Sequence, residues 1–539
     1  MSQGNRSYYI TTPIYYVNAK PHLGTAYSTV MADVAARFHR ACGRDTFFLT
    51  GMDEHGEKVA EAAEQRGFST PQEWCDSMEP AFRQLWETLC ISNDDFIRTT
   101  QPRHVAGVQK FLQVLLDRGY IYKDTYDGWY CKPDETYFTE TQVRHHEEER
   151  VARGDAPADP QHPLCPECDR PLERIQEESW FFKLSEFQQP LLDFYESHPD
   201  FIQPETRRNE VVSFVSGGLK DLSISRSTFD WGVPFPFDGK HVAYVWVDAL
   251  INYLTALGYG SDDEGEVERR WPAQVHIVGK DIVRFHCVIW PALLMAAGLP
   301  LPERVFVHGF LTVRNEETGK AEKMSKSRGN AILPEEVLDL LGVDAYRYYF
   351  MCDVAHGTDA PISWGRMRQV YNADLANSWG NLVSRTLNMS AKYFDGCAPA
   401  RPEGWDATSP LRDAADGVFA DYARCMEAFD FQGAAKRVAR IVDAANLYIE
   451  NSAPWALAKD PEKADELALV IWNILEAIRI VAELYAPFMP NVSAEVRRRM
   501  SLPVEDCRDL EAACAWGGLA GGEPVEKGAA LFPRLTDES

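Results

Sequence analysis

The sequence predicts an α/β chain in which a parallel sheet flanked by helices is interrupted by a polar insertion and followed by a bundle of helices. Three observations predict this order. A strand, a helix and a second strand follow one another near the N-terminus, which is the pattern of a βαβ unit. A charge-rich stretch with a Cys-x-x-Cys pair separates this unit from further buried-type strands. Beyond Pro334, apolar residues recur at intervals of three and four, as they do in helical bundles.

The length of 539 residues exceeds the size at which a single hydrophobic core keeps growing, so we expect several domains. The composition is 45% hydrophobic, which is enough to fill their cores. The predicted segments are 1–117 for the first half of the sheet domain, 118–230 for the insertion, 231–318 for its second half, 319–375 for a lysine-containing linker region and 376–539 for the helical domain.

Composition and charge restrict the classes of partner. The sequence does not begin with the basic segment and following apolar segment of a secretory signal peptide. It also lacks an apolar run of about 18 residues that could span a membrane. We therefore expect a cytoplasmic protein without membrane contact. The formal net charge of −26 should repel nucleic acid at long range, so any RNA contact requires a local basic patch. Lys436, Arg437 and Arg440 are spaced for such a patch.

The N-terminal βαβ unit carries the first candidate binding loop. A β-branched and aromatic stretch at residues 7–12 predicts a strand, helical spacing from Thr25 to Phe38 predicts a helix, and residues 46–50 predict a second strand. The loop between the first strand and the helix contains His22 and Gly24, and open α/β sheets bind ligands at this edge. Gly24 permits close approach of a ligand to the backbone, His22 can donate to a phosphate, and Thr25 can cap the helix. A structural role is the ordinary alternative for a single histidine in a loop.

The second candidate loop is the run Lys323-Met324-Ser325-Lys326-Ser327, followed by Arg328 and Gly329. Two ammonium groups three residues apart alternate with hydroxyl groups, which makes a donor array suited to a triphosphate. A solvated basic turn is the alternative for such a pentapeptide on its own. Its pairing with the distant His22 loop favours the phosphate-binding interpretation.

Further candidates follow other predicted strands. Asp53 lies at the tip of the second strand, where its carboxylate can bind an ammonium group or form a turn. Asp281, two residues after Gly279, is placed to accept a hydrogen bond from a ribose hydroxyl. We predict a helix at residues 282–297 that carries His286 in its first turn. Another predicted helix can place four aromatic and apolar residues on one face: Trp246, Ala249, Leu250 and Tyr253. Taken alone, such a face ordinarily packs in a hydrophobic core.

Cysteines suggest a metal site within the insertion. Cys131 and Asp134 form one pair with two intervening residues, and Cys165 and Cys168 form another. Such a set suits a tetrahedral structural zinc site. A vestigial knuckle without metal is one alternative. Another is that a histidine replaces Asp134 as ligand, the candidates being His145, His146 and His162.

Six stretches of this sequence, in order, resemble those of methionyl-tRNA synthetases, a family of class I aminoacyl-tRNA synthetases. The two candidate phosphate-binding loops are the paired signatures of class I. The other four are Thr11-Thr-Pro-Ile-Tyr-Tyr16, Gly51-Met-Asp-Glu-His-Gly56, Val245-Trp-Val-Asp-Ala249 and Gly279-Lys-Asp-Ile-Val-Arg-Phe-His286. The resemblance covers essentially the whole chain. It implies a Rossmann-like catalytic domain split by a zinc-knuckle-type insertion and followed by an α-helical bundle that binds the anticodon.

The resemblance also implies the reaction. ATP and L-methionine would give methionyl-adenylate and pyrophosphate, and the methionyl group would then pass to the terminal ribose of tRNA(Met), for initiation and elongation. The implied cofactors are Mg²⁺ with the ATP and a structural Zn²⁺. The partners would be methionine, ATP and the acceptor end and CAU anticodon of tRNA(Met). No appended RNA-binding module is recognisable, so a monomer is expected.

Family roles carried over by position assign the site residues. The expected catalytic residues are His22, Thr25, Lys323 and Lys326. The expected ATP-binding residues are His22, Gly24, Thr25, Gly279, Asp281, Lys323, Ser325 and Lys326. The expected methionine-binding residues are Pro13, Ile14, Tyr16, Asp53, Trp246, Ala249, Tyr253, Ile282 and His286. The expected anticodon-binding residues are Asn381, Arg385 and Trp455, and the expected zinc ligands are Cys131, Asp134, Cys165 and Cys168.

Two alternatives stay open at this stage. One is a synthetase for another amino acid, although the insertion is too short for the editing domain of isoleucine, valine and leucine enzymes. A cysteine enzyme would hold zinc in its substrate pocket instead. The second alternative is a non-catalytic tRNA- or methionine-binding paralogue, because the family pattern has a second histidine where this chain has Thr25.

Overall fold

The computed structural model describes residues 7–132, 136–314, 319–324, 330–401, 403, 409–504 and 507–536, apart from the side chain of Lys323. Residues 7–117 form the predicted βαβ unit and its continuation, which confirms the first predicted strand, helix and strand. The bounds are β1 Ser7–Tyr16, α1 Leu23–Ala41, β2 Asp45–Asp53, α2 Glu57–Gln65, α3 Pro71–Thr88, β3 Asp95–Arg98 and α4 Pro102–Asp117.

The predicted insertion contains an antiparallel sheet and also reaches into the central sheet. Its elements are β4 Ile121–Cys131, β5 Thr136–Phe138, α5 Glu140–Ala152, β6 Glu173–Phe182, α6 Gln188–Ser197, β7 Ile202–Gln203, α7 Glu205–Ser216, β8 Leu222–Ser223 and β9 Ser225–Arg226. The antiparallel sheet has the order β5-β4-β6-β8. Strand β7 instead pairs in parallel with a later strand that begins at Val305. Part of the segment 118–230 therefore belongs to the central sheet.

The next segment completes this sheet. Its elements are β10 Pro234–Phe235, β11 Asp238–Ala243, α8 Val245–Leu250, α9 Asn252–Thr255, α10 Gly265–Arg270, β12 Val275–Gly279, α11 Trp290–Ala297, β13 Val305–His308, β14 Leu311–Arg314 and β15 Ala321–Lys323. The central sheet is parallel, with the order β3-β2-β1-β12-β13-β7. The predicted Rossmann-like parallel sheet is confirmed.

The continuous helix predicted at residues 282–297 is wrong in its first half. A 3₁₀ turn at Lys280–Ile282 is followed by a π-helix at Phe285–Ile289, and only then does α11 begin. Pro291 explains the change, because it lacks the N–H that would bond to the carbonyl of Cys287 in an α-helix. The hydroxyl of Tyr195 donates to that carbonyl instead, at 2.5 Å.

The remainder is mainly helical, as predicted. Its core includes the apolar residues that recur at intervals of three and four along one long helix, from Leu467 to Ile478. The elements are α12 Pro334–Leu341, α13 Val343–Tyr348, β16 Ala360–Ile362, α14 Trp364–Val370, α15 Asn381–Tyr393, α16 Pro410–Ala415, α17 Val418–Glu427, α18 Phe431–Ser452, α19 Pro454–Leu457, α20 Ala464–Tyr485, α21 Pro490–Arg499 and α22 Leu510–Ala513. Two π-helices, Tyr349–Asp353 and Tyr371–Gly380, lie within it. Strand β16 pairs with β14 in a small sheet of order β15-β14-β16. In the described part of the chain, no helix is both long and apolar enough to cross a bilayer.

A buried ion pair joins the sheet to the helical part. Arg347 of α13 donates to Asp33 of α1 at 2.7 Å and to the carbonyl groups of Leu89, Pro487 and Phe488 at 2.8–3.0 Å. Burial raises the pKa of Asp33, but the adjacent guanidinium groups outweigh this effect and lower the pKa to about 2. Helix α1, which starts at the His22 loop, is therefore fixed against the helical part by a satisfied buried charge pair.

Candidate active site

A cavity of about 370 Å³ opens at the carboxyl edge of the central sheet. The last residues of four neighbouring strands line it: Tyr16 of β1, Asp53 of β2, Gly279 of β12 and His308 of β13. Ligands of open α/β sheets bind at this edge. All nine residues expected to contact methionine line the cavity, together with His22, Gly24, Thr25, Gly279 and Asp281 from the set expected to contact ATP.

The lysine run is the part of the predicted site that the structure does not describe in full. Lys323 is the last residue of β15, but its side chain, Ser325 and Lys326 lie outside the described residues. Strand β15 pairs with β14, and Phe310, directly before β14, lines the cavity. The backbone on the N-terminal side of the lysine run is therefore anchored close to the cavity.

The His22 loop closes onto the first turn of α1. His22, not Thr25, is the N-cap residue, so the predicted capping role of Thr25 is wrong in position. The backbone N–H of Thr25 donates to His22 Nδ1 at 3.2 Å, and the backbone N–H of His22 lies 3.4 Å from Thr25 Oγ1. This reciprocal pair is a capping box, which fixes the imidazole of His22 through Nδ1. Thr25 therefore orients the histidine that faces the cavity.

At the end of β12, Gly279 lies directly beside the carboxylate of Asp281. A Cβ atom on Gly279 would lie 2.5 Å from Asp281 Oδ1, so a larger residue would displace the carboxylate. On the adjacent strand, His308 Nδ1 donates to the carbonyl of Gly309 at 2.8 Å, and His308 Nε2 lies 2.7 Å from Ser28 Oγ. These contacts hold α1 and the ends of β12 and β13 around one part of the cavity.

The opposite part of the cavity is aromatic. The rings of Trp246 and Phe285 stack with centroids 3.8 Å apart. His286 Nδ1 donates to the carbonyl of Ile282 at 3.1 Å, so His286 Nε2 accepts from the hydroxyl of Tyr253 at 2.7 Å. Burial lowers the pKa of His286 from 6.5 to about 4, which keeps the imidazole neutral at physiological pH. A neutral imidazole and a phenol are compatible with an uncharged, polarizable ligand.

The depressed pKa of His286 predicts an acid-sensitive stability. Between pH 6.5 and about 4 the unfolded chain binds a proton at this residue and the folded chain does not, so stability falls as the pH falls through this window. The expected contribution between pH 7 and pH 5 is about 2 kcal/mol. Thermal unfolding midpoints at the two pH values should therefore drop more for the wild-type protein than for His286→Gln. Equal drops would contradict the assignment of a buried neutral imidazole.

Charged groups line the cavity beside the aromatic part. Asp53 is buried at the end of β2, and β1 and β2 pair so that Tyr16 lies opposite it. The ammonium group of Lys58, at the start of α2, lies 5.3 Å from the ring centre of Tyr16. The cavity thus presents a carboxylate and a cation near one another, as a zwitterionic ligand would require.

The insertion reaches the rim of the same cavity. Thr136 and Glu167 line it, and Glu167 accepts from Arg284 at 3.1 Å. Directly after β4, Lys132 forms ion pairs with Glu57 at 2.7 Å and with Glu61 at 2.5 Å. The cysteine-containing part of the insertion is therefore tied by ion pairs to Arg284 and to α2.

Three of the predicted zinc ligands lie together. The sulfur atoms of Cys131, Cys165 and Cys168 are all within 4.8 Å of one another, and those of Cys131 and Cys168 are 3.6 Å apart. A zinc ion bound tetrahedrally at about 2.3 Å holds its sulfur ligands about 3.8 Å apart, so this geometry fits zinc. Asp134 lies outside the described residues.

The alternative histidine ligands are not supported. Among the residues that the structure describes, the metal-compatible group contains the three cysteines and no histidine. His146 Nε2 instead lies 2.9 Å from Asp169 Oδ1, and His145 Nε2 lies 3.3 Å from Glu149 on the exposed face of α5. His162 lies in the turn after α5, outside the group.

Two family matches cover most of the chain. Residues 8–387 match the family described as tRNA synthetases class I (M), and residues 400–539 match the anticodon binding domain of methionyl tRNA ligase. The chain belongs to the methionyl-tRNA synthetase family.

Curated relatives in this family match along nearly the whole chain. A methionine–tRNA ligase of Streptomyces coelicolor is 47% identical over 544 residues, which cover 99% of this chain and 98% of that protein. One from Caldanaerobacter subterraneus is 44% identical over 533 residues, covering 99% of this chain and 80% of that protein. Both alignments thus include the catalytic and the helical parts.

Solved structures of methionyl-tRNA synthetases share the fold. The Mycobacterium tuberculosis methionyl-tRNA synthetase in complex with methionyl-adenylate superimposes with a TM-score of 0.89 at 39% identity, covering 98% of this chain and 100% of that chain. The apo form from the same organism gives a TM-score of 0.83 at 36% identity, covering 99% of both chains.

The three residues expected to read the tRNA anticodon lie on two helices of the helical domain. Asn381 and Arg385 belong to α15, and Arg385 forms an ion pair with Glu450 of α18 at 2.8 Å. Trp455 lies on α19, five residues beyond Glu450, and is 42% exposed. An exposed tryptophan is suited to stacking on unpaired bases.

Several cavity residues escaped the sequence analysis. Lys58 lies two residues after the motif that ends at Gly56, and Phe310 lies two residues after the end of β13. Phe285 directly precedes His286. Their nearness in sequence to predicted site residues could have identified all three. Asn252 shares a helical segment with Tyr253 and could have been found in the same way. Thr136 and Glu167 had no such signal, because nothing in the sequence shows where the insertion folds back onto the sheet. The cavity residues not predicted as ligands are Tyr15, Ser28, Lys58, Thr136, Glu167, Leu250, Asn252, Phe285, His308 and Phe310.

Proposed function

We propose that this chain carries out the reaction of its family in the cavity at the carboxyl edge of the central sheet. L-methionine is activated by ATP to methionyl-adenylate with release of pyrophosphate, and the methionyl group is then transferred to tRNA(Met). The observation that carries this proposal is that residues from four separate stretches, each expected to contact ATP or methionine, line one cavity. ATP enters with Mg²⁺, which neutralises negative charge on the phosphate oxygens.

The nucleotide is assigned to the part of the cavity between the start of α1 and the end of β12. His22, oriented through Nδ1, donates from its other ring nitrogen to a phosphate oxygen, and Gly24 leaves room for the nucleotide at the helix N-terminus. Asp281 accepts from a ribose hydroxyl. Lys323, Ser325 and Lys326 donate to the triphosphate and stabilise charge that develops on pyrophosphate.

No protein nucleophile is required for the first step. The carboxylate of methionine attacks the α-phosphorus, the bond to the bridging oxygen of pyrophosphate breaks, and the electron pair leaves with pyrophosphate. The side chains therefore act by holding the two substrates in line and by stabilising charge. In the second step, a hydroxyl of the terminal ribose of tRNA attacks the carbonyl carbon of the adenylate and AMP departs.

Methionine is assigned to the other part of the cavity. Asp53 binds the α-ammonium group, and the thioether chain lies among Trp246, Ala249 and Ile282, with Pro13, Ile14 and Tyr16 on the side of β1. An unbranched, polarizable side chain suits aromatic faces, and the Tyr253–His286 pair provides polar groups near sulfur. Because an apolar pocket discriminates only modestly between isosteres, we expect imperfect rejection of norleucine.

The helical domain is assigned to recognition of the CAU anticodon. Trp455 stacks on a base, and Asn381 and Arg385 contact base edges. The local basic face of Lys436, Arg437 and Arg440 on α18 offers attraction that the net charge of −26 does not. Affinity for tRNA should therefore fall steeply with salt.

The remaining assignments concern the zinc ligands, the domain boundaries, the localisation and the oligomeric state. We assign Cys131, Asp134, Cys165 and Cys168 as ligands of a structural zinc ion, with no catalytic role. The predicted domain boundaries at 117, 230, 318 and 375 are retained as proposals. A translation enzyme of this kind would act in the cytoplasm as a monomer, which light scattering would test.

The zinc assignment predicts about one zinc ion per chain in protein purified without added metal. Chelation should release the ion and lower the thermal midpoint, because a bound metal stabilises the folded state. Cys165→Ser should lose the metal, whereas Cys425→Ser on α17 should keep it. Equal zinc content in these two variants, measured by elemental analysis, would refute the ligand set.

Aminoacylation tests the whole proposal. The purified chain should charge a tRNA(Met) transcript with methionine, and charging should fall strongly when the CAU anticodon is changed. A second candidate function, binding of tRNA without catalysis, is favoured by the departure from the family pattern at Thr25. Retained tRNA binding without charging of any tRNA would favour this alternative over the synthetase.

A further inference from the structure

A buried carboxylate outside the cavity lining connects the walls of the methionine pocket. Asp248 lies on α8 between Trp246 and Ala249, which both line the cavity, and its own side chain is fully buried. Its Oδ2 accepts from His55 Nδ1 at 2.6 Å, and its Oδ1 accepts from His104 Nε2 at 2.7 Å. Both carboxylate oxygens thus have a histidine donor.

This carboxylate is charged in the folded protein. Burial raises the pKa of Asp248, but the electrostatic interactions and hydrogen bonds with His55 and His104 outweigh burial and lower the pKa to about 2. Taking a carboxylate out of water is costly unless its partners are well placed, and an apolar residue would fill the same space at less cost. The network therefore fixes a geometry rather than merely filling the core.

The first connection runs to the ammonium-binding end of the pocket. His55 follows Asp53 by two residues, so the hydrogen bond to Asp248 ties the end of β2 to α8. The ring of His55 also packs edge-on against Trp231, with centroids 5.4 Å apart, and Trp231 Nε1 donates to the carbonyl of Glu54 at 2.6 Å. The segment 53–55 is therefore held on both sides.

The second connection runs to the aromatic end. His104 of α4 contacts Asp248 through one ring nitrogen and Thr255 Oγ1 through the other, at 2.8 Å. Thr255 lies on α9, two residues after Tyr253, which contacts His286. One carboxylate thereby links the positions of the Asp53 segment, the Trp246 helix and the Tyr253 helix.

We propose that Asp248 is a positioning residue that sets the distance between the carboxylate that binds the ammonium group and the aromatic wall that binds the side chain. This distance determines the length of the amino acid that the site accepts. The inference rests on the proposed function, because it assigns a role to residues behind the methionine pocket. It predicts a selective effect on methionine, since no member of the network belongs to the nucleotide part of the cavity.

A matched pair of substitutions, His55→Asn and His55→Leu, isolates the hydrogen bond. The asparagine variant would keep an amide N–H near the position of the ring Nδ1, whereas the leucine variant, with a side chain of similar volume, would not. In ATP–pyrophosphate exchange, His55→Leu should raise the KM for methionine about tenfold and leave the KM for ATP within about twofold, because small misplacements of a bound group are costly. His55→Asn should stay close to the wild type.

A second pair separates positioning from general stability. Asp248→Asn removes the charge behind the pocket, and Asp344→Asn removes a buried carboxylate that accepts from the backbone N–H of Val492, at the junction with α21. Both should lower the thermal midpoint. Only Asp248→Asn should raise the methionine KM relative to the ATP KM and change the ratio of exchange rates for methionine and norleucine.

The outcomes are distinguishable. Equal methionine KM values for His55→Leu and His55→Asn, or the same KM pattern for Asp248→Asn and Asp344→Asn, would overturn the positioning role. Failure of the wild-type protein to show methionine-dependent exchange would overturn the proposed function itself, and the inference with it.

Discussion

Replacing Asp53 by asparagine is expected to raise the KM for methionine about a hundredfold, the equivalent of about 3 kcal/mol, with little change in the KM for ATP. Asp53 is buried at the end of β2, at the edge of the sheet where the cavity opens. A buried carboxylate strengthens its interaction with a substrate ammonium group, because little water remains to screen the charges. The amide keeps the size of the side chain and removes the charge.

The control for Asp53 lies on the same strand. Asp45 opens β2 at the opposite edge of the sheet and pairs with Arg269 and Arg270 on the surface. Asp45→Asn should leave both KM values unchanged. A methionine KM for Asp53→Asn within about threefold of the wild-type value would contradict the assignment of Asp53 to the ammonium group.

Replacing Lys326 by alanine is expected to reduce ATP–pyrophosphate exchange by a factor of about 100 to 1,000, the cost of removing one donor to charge that develops in a transition state. Methionine binding should stay nearly intact, because the methionine residues come from other segments. The expectation rests on the position of Lys326 in the lysine run, whose preceding strand β15 is anchored through β14 beside the cavity.

Methionine binding to the Lys326 variant can be followed by tryptophan fluorescence, since Trp246 lines the cavity. Lys320→Ala is the matched control, because it removes an exposed ammonium group just before the same strand. It should retain exchange. Unchanged exchange in Lys326→Ala would remove the lysine run from the proposed chemistry.

Local patterns were sufficient to predict part of the central sheet, but they predicted neither β3 nor β7. The strand, helix and strand pattern near the N-terminus predicted β1 and β2 as a βαβ unit, and the structure shows these two strands paired in parallel. Because the carboxyl ends of parallel strands meet at one edge of a sheet, the sequence predicts that His22, Asp53 and Asp281 lie together. The structure brings them into one cavity.

Features that depend on tertiary contacts were not predictable. The π-helix at Phe285–Ile289 exists beside Pro291, and the carbonyl that the proline leaves without its helical donor is bonded by Tyr195, a residue about a hundred positions away. The short strand β16 pairs with β14, about fifty residues earlier in the chain, so local sequence does not reveal it. The histidines of α5 were possible substitutes for Asp134 as a ligand, but the structure places His146 against Asp169.

Thr25 lines the cavity, but its place in the helix cap differs from the predicted one. Thr25 was expected to cap α1, but His22 occupies the N-cap position and Thr25 closes the box from within the first turn. A threonine at this place can hold the imidazole by hydrogen bonds, although it cannot supply a second cationic donor. The departure from the family pattern is therefore compatible with a positioned His22.

The central claim is that one cavity binds ATP and methionine together. It is tested most directly by ATP–pyrophosphate exchange with purified protein and each of the twenty amino acids in turn. The account predicts strong exchange with methionine and only background exchange with the other nineteen. Strong exchange with a different amino acid, or no exchange with methionine, would contradict it.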